Sequence, residues 1–323
     1  MTKNCEINDR KVAVIGCGFV GAASAFALMQ SGLFSEMVLL DSDKSKAEGE
    51  AMDISHGEAY ARPMKIYAGD YSDIKDAAVI IITAGANQKP GETRLDLVQR
   101  NVSIFKKIIP EIKKLNYRGI ILVVTNPVDI LTYTTLKLSD LPANRVLGSG
   151  TVLDTARFRE ILGNHLNVDS RSVHAFVIGE HGDSEIAVWS TANVAGVPVQ
   201  KFCAMRGVHN HEEHMRQIAS EVKQSAYEII KRKKATYYGI AMAVKRICEA
   251  IVRDEKSVLP VSNLMRGAYG ISDITLSMPA VVGKDGVELQ MPISLDGNEA
   301  LALKESADML KKIAQEIGAD TAD

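Results

Sequence analysis

Residues 11–41, KVAVIGCGFVGAASAFALMQSGLFSEMVLLD, decide how this chain folds. KVAVIG is apolar at consecutive positions instead of alternating, which is how a strand covered on both faces reads. GCGFVG (16–21) follows it as GxGxxG, and residues 20–31 then have helical texture. A second apolar run, MVLLD, ends in Asp41. Strand, glycine turn, helix, strand and terminal acid form the fingerprint of a dinucleotide site. Gly16 permits the tight turn, Gly18 lets the backbone approach a pyrophosphate, and Gly21 lets helix and strand close up. The free N–H groups of the helix N-terminus then receive the phosphates. Asp41 accepts hydrogen bonds from an adenosine ribose and repels a 2′-phosphate, so NAD is expected over NADP. A methyltransferase also uses a glycine-rich first turn, but the spacing to Asp41 favours the dinucleotide.

Outward from this unit, apolar runs at 64–68, 79–84 and 120–125 read as further strands, with a helix over 95–115. Strands alternating with helices imply a parallel sheet with crossover helices, the doubly wound (Rossmann) α/β class. After about Gly150 the texture changes. Strand candidates become short and alternating (172–178, 186–190, 276–282), and long amphipathic helices appear at 212–231 and 299–317. The expected organisation is an NAD-binding domain over residues 1–149 and a mixed α+β substrate and catalytic domain over 150–323. No Pro- or Gly-rich linker separates them, so the expected active site lies in an extensive shared interface.

Composition excludes several classes. Of 323 residues, 46% are hydrophobic and 24% charged, as in ordinary globular proteins. The 38 basic and 40 acidic residues leave a net charge of −2, against the basic excess of nucleic-acid binders. Four scattered cysteines with no CxxC spacing point to a reducing, cytoplasmic home. The N-terminus has no apolar signal-peptide region, and AAVIIITAGA and GIILVV are too short to span a bilayer. Asn101-Val102-Ser103 therefore matches the glycosylation sequon by chance. No HExxH or Cys/His ligand set calls for a metal, and His209, His211 and His214 read as a solvated helix start. Lys231 to Lys234 read as a solvated helix end.

Taken singly, the polar residues of the second half are ambiguous. A lone His181 is more often structural than catalytic. Asp154 and Arg157, three apart, make an ordinary helical ion pair worth a few tenths of a kcal/mol. Arg94 after a Pro-Gly turn is usually solvated. Their combination carries more. GCGFVGAASAF (16–26), AGANQKPGETRLDLV (84–98), TNPVDILTY (125–133), GSGTVLDTARFR (148–159), IGEHGDSE (178–185) and ATYYGIA (235–241) occur in that order. The set resembles the bacterial L-lactate dehydrogenases of the lactate/malate dehydrogenase family, from about Lys11 to the last helix.

That resemblance implies a catalytic set of His181, Asp154 and Arg94. His181 is the acid/base that protonates a ketone oxygen as hydride leaves NADH, Asp154 its buried carboxylate partner, and Arg94 the group that polarises the carbonyl. Arg157 binds the substrate carboxylate through two parallel hydrogen bonds. Asn126 is a second donor to the reacting oxygen and also a cofactor contact. The cofactor set comprises Gly16, Gly18, Phe19, Val20, Gly21, Asp41, Thr83, Ala84, Gly85, Asn126 and Ile240. The loop that carries Arg94 is expected to close over the bound substrate.

Gln88 stands where a malate dehydrogenase is expected to place an Arg, so a second substrate carboxylate would lose its ion pair. With Thr236 closing the same side, pyruvate is expected over oxaloacetate, hydroxyisocaproate-type or malate-type dehydrogenases being the alternatives. Arg159 and His174 match the positions that bind fructose 1,6-bisphosphate in allosteric bacterial relatives, and a homotetramer is expected. In related enzymes a Gly often stands where Lys234 does, so the geometry of that turn is open. A non-catalytic NAD-binding protein is disfavoured because His181, Asp154, Arg157 and Arg94 are all present.

Overall fold

In a computed structural model of the chain, which describes residues 6–86, 94–207 and 211–319, the alternating pattern becomes a parallel sheet. It runs β1 (Asn8–Ile15), α1 (Phe19–Ser31), β2 (Glu36–Leu40), α2 (Lys44–His56), β3 (Lys65–Ala68), β4 (Ala77–Ile82), α3 (Arg94–Lys114), β5 (Ile120–Val123), α4 (Val128–Ser139) and β6 (Val146–Gly148). The spatial order is β6-β5-β4-β1-β2-β3, with every pairing parallel. The chain reverses its direction of travel between β1 and β4. A crevice opens there at the carboxyl ends of the strands, where ligands of such sheets bind. Val12, Ala13 and Val14 of β1 and Val79, Ile80 and Ile81 of β4 are all fully buried. Consecutive apolar residues thus mark strands covered by helices on both faces.

The second half is α5 (Val152–Leu166), β7 (Val173–Ile178), β8 (Ile186–Val194), β9 (Val197–Pro198), α6 (Val199–Met205), α7 (His211–Lys233), α8 (Tyr238–Val252), β10 (Ser257–Arg266), β11 (Ser272–Gly283), β12 (Gly286–Gln290) and α9 (Gly297–Glu316). β7, β8 and β9 form a small antiparallel sheet. β10, β11 and β12 form an antiparallel meander that joins the edge of the parallel sheet where Ser262 pairs with Gly148. The sheets share no linker; Gly179 at the end of β7 bridges to Ser277 of β11.

One expectation changes here. The short alternating strand expected at 276–282 is part of the twelve-residue β11, in which Leu276, Ser277, Met278 and Ala280 are all buried, the serine included. The reason is chemical: the Ser277 hydroxyl accepts a hydrogen bond from the Thr151 backbone N–H at 3.1 Å. A small polar residue with a partner lies inside without penalty. Among the described residues, no helix is long and apolar enough to cross a membrane.

Candidate active site

The glycine turn is as tight as its spacing requires. Gly16 has φ +102°, and a Cβ placed on it would lie 2.5 Å from the Ala84 backbone nitrogen. A Cβ on Gly21 would lie 1.9 Å from the Gly16 carbonyl oxygen, so α1 meets β1 backbone to backbone. The Thr83 hydroxyl donates to that same carbonyl at 2.6 Å and ties β4 to the turn. Gly18 differs, because nothing lies within 4 Å of where its Cβ would stand. The space before Gly18, at the positive end of α1, forms an open cradle of the kind that suits a pyrophosphate. Asp41 lies just past β2; its carboxylate accepts from the backbone N–H groups of Cys17 at 2.7 Å and Asp43 at 3.0 Å. Burial disfavours its charge, but those two donors outweigh burial and hold its pKa below the ordinary value. The residues present thus fit a dinucleotide with an unphosphorylated ribose. Cys17 inside the motif has no redox role to offer, since burial, with Asp41 nearby, pushes its thiol up to about 12.

Beside this turn is a cavity of about 540 Å³, lined by Val20, Thr83, Gly85 and Asn126 from the first half and by Asp154, Arg157 and His181 from the second. α5 begins immediately after β6, so Asp154 and Arg157, on the first turn and one turn later, face back across the ends of the parallel strands. β7 ends at Ile178 and delivers His181 to the same place. The His181 Nδ1 stands 2.6 Å from Asp154 Oδ2, and an Arg157 guanidinium nitrogen donates to Asp154 Oδ1 at 2.7 Å. Asp154 is 2% exposed, while the His181 side chain is 24% exposed and meets the cavity. Burial disfavours the imidazolium, but the charge and hydrogen bond of Asp154 outweigh it, and the His181 pKa rises to about 9. Burial likewise disfavours the Asp154 carboxylate, and His181 and Arg157 together hold its pKa below the ordinary value. The ring therefore carries a proton at neutral pH, held on one side and exposed on the other.

Three supporting residues stand outside the expected set. The buried Asp129 carboxylate accepts from the His181 backbone N–H at 2.7 Å and from the Ser262 hydroxyl at 2.6 Å, fixing the height of the ring. Burial dominates its titration and lifts its pKa to about 6. Asn101, the chance sequon residue, is buried; it accepts from Ala86 N–H at 2.8 Å and donates to the Asn126 carbonyl at 2.8 Å. It thereby clamps the loop after β4 to the loop after β5. Glu185 lines the cavity beside His181. A carboxylate within TNPVD and one within IGEHGDSE are the signals that point to Asp129 and Glu185.

The remaining expected residues are more scattered. Ala84 abuts Gly16. Phe19 opens α1, is 70% exposed and stacks on Tyr237 with ring centroids 5.4 Å apart. Ile240, like Val20, packs against the apolar core, but unlike Val20 it does not line the cavity. Thr236 is half-buried in the turn between α7 and α8 and does not line the cavity as it stands. Gln88 lies outside the described residues; Arg94 opens α3, and its side chain lies outside them as well. Arg159 is half-buried, donates to the Ala175 carbonyl at 3.0 Å and lies over the Phe176 ring. His174 is exposed two residues before Phe176. Lys234, at the end of α7, adopts a left-handed φ of 71°.

Comparison with known proteins agrees with this geometry. Residues 10–148 match the lactate/malate dehydrogenase NAD binding domain, and residues 151–321 match the lactate/malate dehydrogenase alpha/beta C-terminal domain. The chain is 55% identical over 306 residues to an L-lactate dehydrogenase of Acetivibrio thermocellus, covering 94% of this chain and 96% of that one. It is 52% identical over 303 residues to an L-lactate dehydrogenase of Priestia megaterium, covering 94% and 95%. Among solved structures, a lactate dehydrogenase from a Medee basin deep-sea metagenome library superposes with a TM-score of 0.93 at 47% identity, covering 96% of this chain and 99% of that one. The ligand-bound minor L-lactate dehydrogenase of Enterococcus mundtii gives 0.92 at 44%, covering 95% and 98%. With its glycine cradle in the first matched domain and its carboxylate–imidazole pair in the second, this chain belongs to the lactate/malate dehydrogenase family.

Proposed function

We propose that the chain is an NAD-dependent L-lactate dehydrogenase that interconverts pyruvate and L-lactate. The observation that carries this reading is the Asp154 carboxylate held between His181 and Arg157 in the wall of the cavity beside the glycine turn. NADH, when bound, supplies the hydride. Arg157 keeps guanidinium donors beyond the one given to Asp154, and these take the substrate carboxylate. The exposed edge of the protonated His181 ring donates to the ketone oxygen as charge develops there. Asp154 stabilises the ring while it holds the proton and keeps Nδ1 turned away from the substrate. Arg94 and Asn126 polarise the same oxygen. Gln88 offers no cation to a second carboxylate, and with Thr236 it favours pyruvate over oxaloacetate.

Two further parts of the proposal concern assembly. α1 packs against α2 and α8, and these helices leave Phe19, Phe26, Met52, Tyr238 and Met242 exposed to solvent. Large apolar residues on neighbouring helices favour burial against a second copy, and the assembly we propose is a homotetramer. Arg159 and His174, on adjoining elements, are the proposed receptors for fructose 1,6-bisphosphate. The buried free thiols of Cys17, Cys203 and Cys248 suit the cytoplasm.

The test follows NADH absorbance with pyruvate and then oxaloacetate, each with and without fructose 1,6-bisphosphate. The expected result is a kcat/KM at least about tenfold higher for pyruvate, with its half-saturation lowered by the bisphosphate. Preference for oxaloacetate overturns the substrate, and indifference of both turnover and assembly to the bisphosphate overturns the activator.

A further inference from the structure

Four residues beyond His181 stands a carboxylic acid to which the proton-transfer scheme gives no task. Glu185 precedes β8, with its backbone N–H donating to the Gly182 carbonyl at 3.1 Å in a tight turn. It is 6% exposed. One of its carboxyl oxygens, one of Asp154 and a ring nitrogen of His181 all lie within 4.8 Å of one another. Among the described residues no ion pair within 4 Å neutralises Glu185, because Arg157 and His181 both spend their contacts on Asp154. A cation placed among the three would have to take Asp154 from those two partners.

Two carboxyl groups this close in a buried site do not both stay ionised. Asp154 has a cation on each oxygen and keeps its charge, so the proton falls to Glu185. Besides Glu185, the titratable and charged groups lining the cavity are Asp154 and Arg157 of α5, His181 and Asp183 of the loop between β7 and β8, and Lys223 and Tyr227 of α7. Asp183 is engaged by Tyr227, whose hydroxyl donates to its carboxylate at 2.8 Å, and Lys223 donates to its carbonyl at 3.2 Å. Burial first and Asp154 second push the Glu185 pKa up to about 8, against His181, Lys223 and Arg157, which pull it down.

We propose that Glu185 sets the charge of the pocket. As the neutral acid it leaves protonated His181 and Arg157 one positive charge ahead of Asp154, the charge that a single substrate carboxylate cancels. Its ionisation removes that surplus and weakens binding of the 2-oxo acid. Glu185 is thus a positioning residue for charge, and its role rests on the reading of His181 as the acid/base.

The experiment compares wild type with Glu185→Gln by infrared difference spectroscopy and by steady-state kinetics between pH 7 and pH 9. Fluorescence of the single Trp189 reports that the variant is folded, and Glu185→Asp serves as the conservative control. The expected spectrum of wild type at pH 7 contains the carbonyl band of a buried neutral carboxylic acid, which Glu185→Gln lacks and which fades as pH rises. In parallel, the wild-type KM for pyruvate climbs roughly tenfold from pH 7 to pH 9, as one proton lost per binding event requires. In Glu185→Gln it climbs by no more than about threefold, and Glu185→Asp restores part of the dependence. Absence of the band at pH 7, or the same climb in Glu185→Gln, overturns the proposal. The band needs no turnover, so a protein that shows it but does not reduce pyruvate overturns the assigned reaction and leaves the proton on Glu185 established.

Discussion

The proposed cradle for the dinucleotide lies within six consecutive residues, Gly16 to Gly21, whereas the proposed proton-donating pair joins His181 to Asp154 across 27 positions of sequence. The first works by the absence of side chains and tolerates no added atom. The second works by side-chain chemistry, and its geometry is supplied by β6, α5, β7 and the buried Asp129. Damage to the two regions should therefore look different. Asp154→Asn should have the largest effect on chemistry, lowering kcat for pyruvate reduction by about 10²–10³-fold, within the range for general acid catalysis. With the neighbouring charge gone, burial is opposed only by the weaker influence of Asp129 and Glu185. The His181 pKa falls from its value of about 9, and the alkaline loss of reduction moves to lower pH. A pH profile of kcat checks this, and an unmoved alkaline limb would sink the assignment of Asp154 as partner. Overall stability should change far less than rate.

Gly21→Ala should reverse that balance. The added methyl would meet the Gly16 carbonyl oxygen, a backbone atom held on its other side by Thr83, so the turn has to open. A cost of about 1–3 kcal/mol is expected from overpacking of this kind. Affinity for NADH should fall at least about tenfold in a fluorescence titration, since the N–H groups no longer converge on one point. NADH affinity equal to that of wild type would place the cofactor elsewhere than the cradle.

The same contrast explains how much the sequence reveals. The parallel sheet is legible because strands β1, β2, β4 and β5 are buried on both faces and leave unbroken apolar runs. The glycine turn is legible because its constraint is local. By contrast α2 has a weak apolar face, burying only Ala47, Ala51 and Ile54, and β6 is three residues long, so neither leaves a pattern. In the proton site, His181, Asp154 and Arg157 are each bland alone, and only the ordered motifs single them out. Asp129 shows why spacing does not suffice. It acts through the His181 backbone 52 positions away, and no period along the chain records that contact. Asn101 is subtler still, because its sequon match points to the surface while its amide is buried between two loops.

Lys234 offers the smallest and cleanest way to separate fold from site. α7 ends at Lys233, and Lys234 closes the helix in a left-handed conformation, with its N–H donating to the Ile230 carbonyl at 2.7 Å. That is the position where helices favour glycine, because a Cβ crowds the backbone at positive φ. Lys234 is exposed, while the neighbouring Lys233 ammonium lies over the Tyr237 and Tyr238 rings, 3.6 Å and 4.1 Å from their centroids. Relief of the left-handed strain by Lys234→Gly is worth about 1–2 kcal/mol. The greater freedom of glycine in the unfolded chain takes back about 0.4–1 kcal/mol. The net expectation is a gain of up to about 1.6 kcal/mol, centred on about 0.8 kcal/mol and read as a higher urea midpoint at constant slope and fixed protein concentration. kcat/KM for pyruvate should stay within about twofold, since no cavity-lining residue changes. A loss of activity with the gain in stability would mean that the strained turn positions Thr236 two residues on, and would move that turn from the scaffold into the pocket.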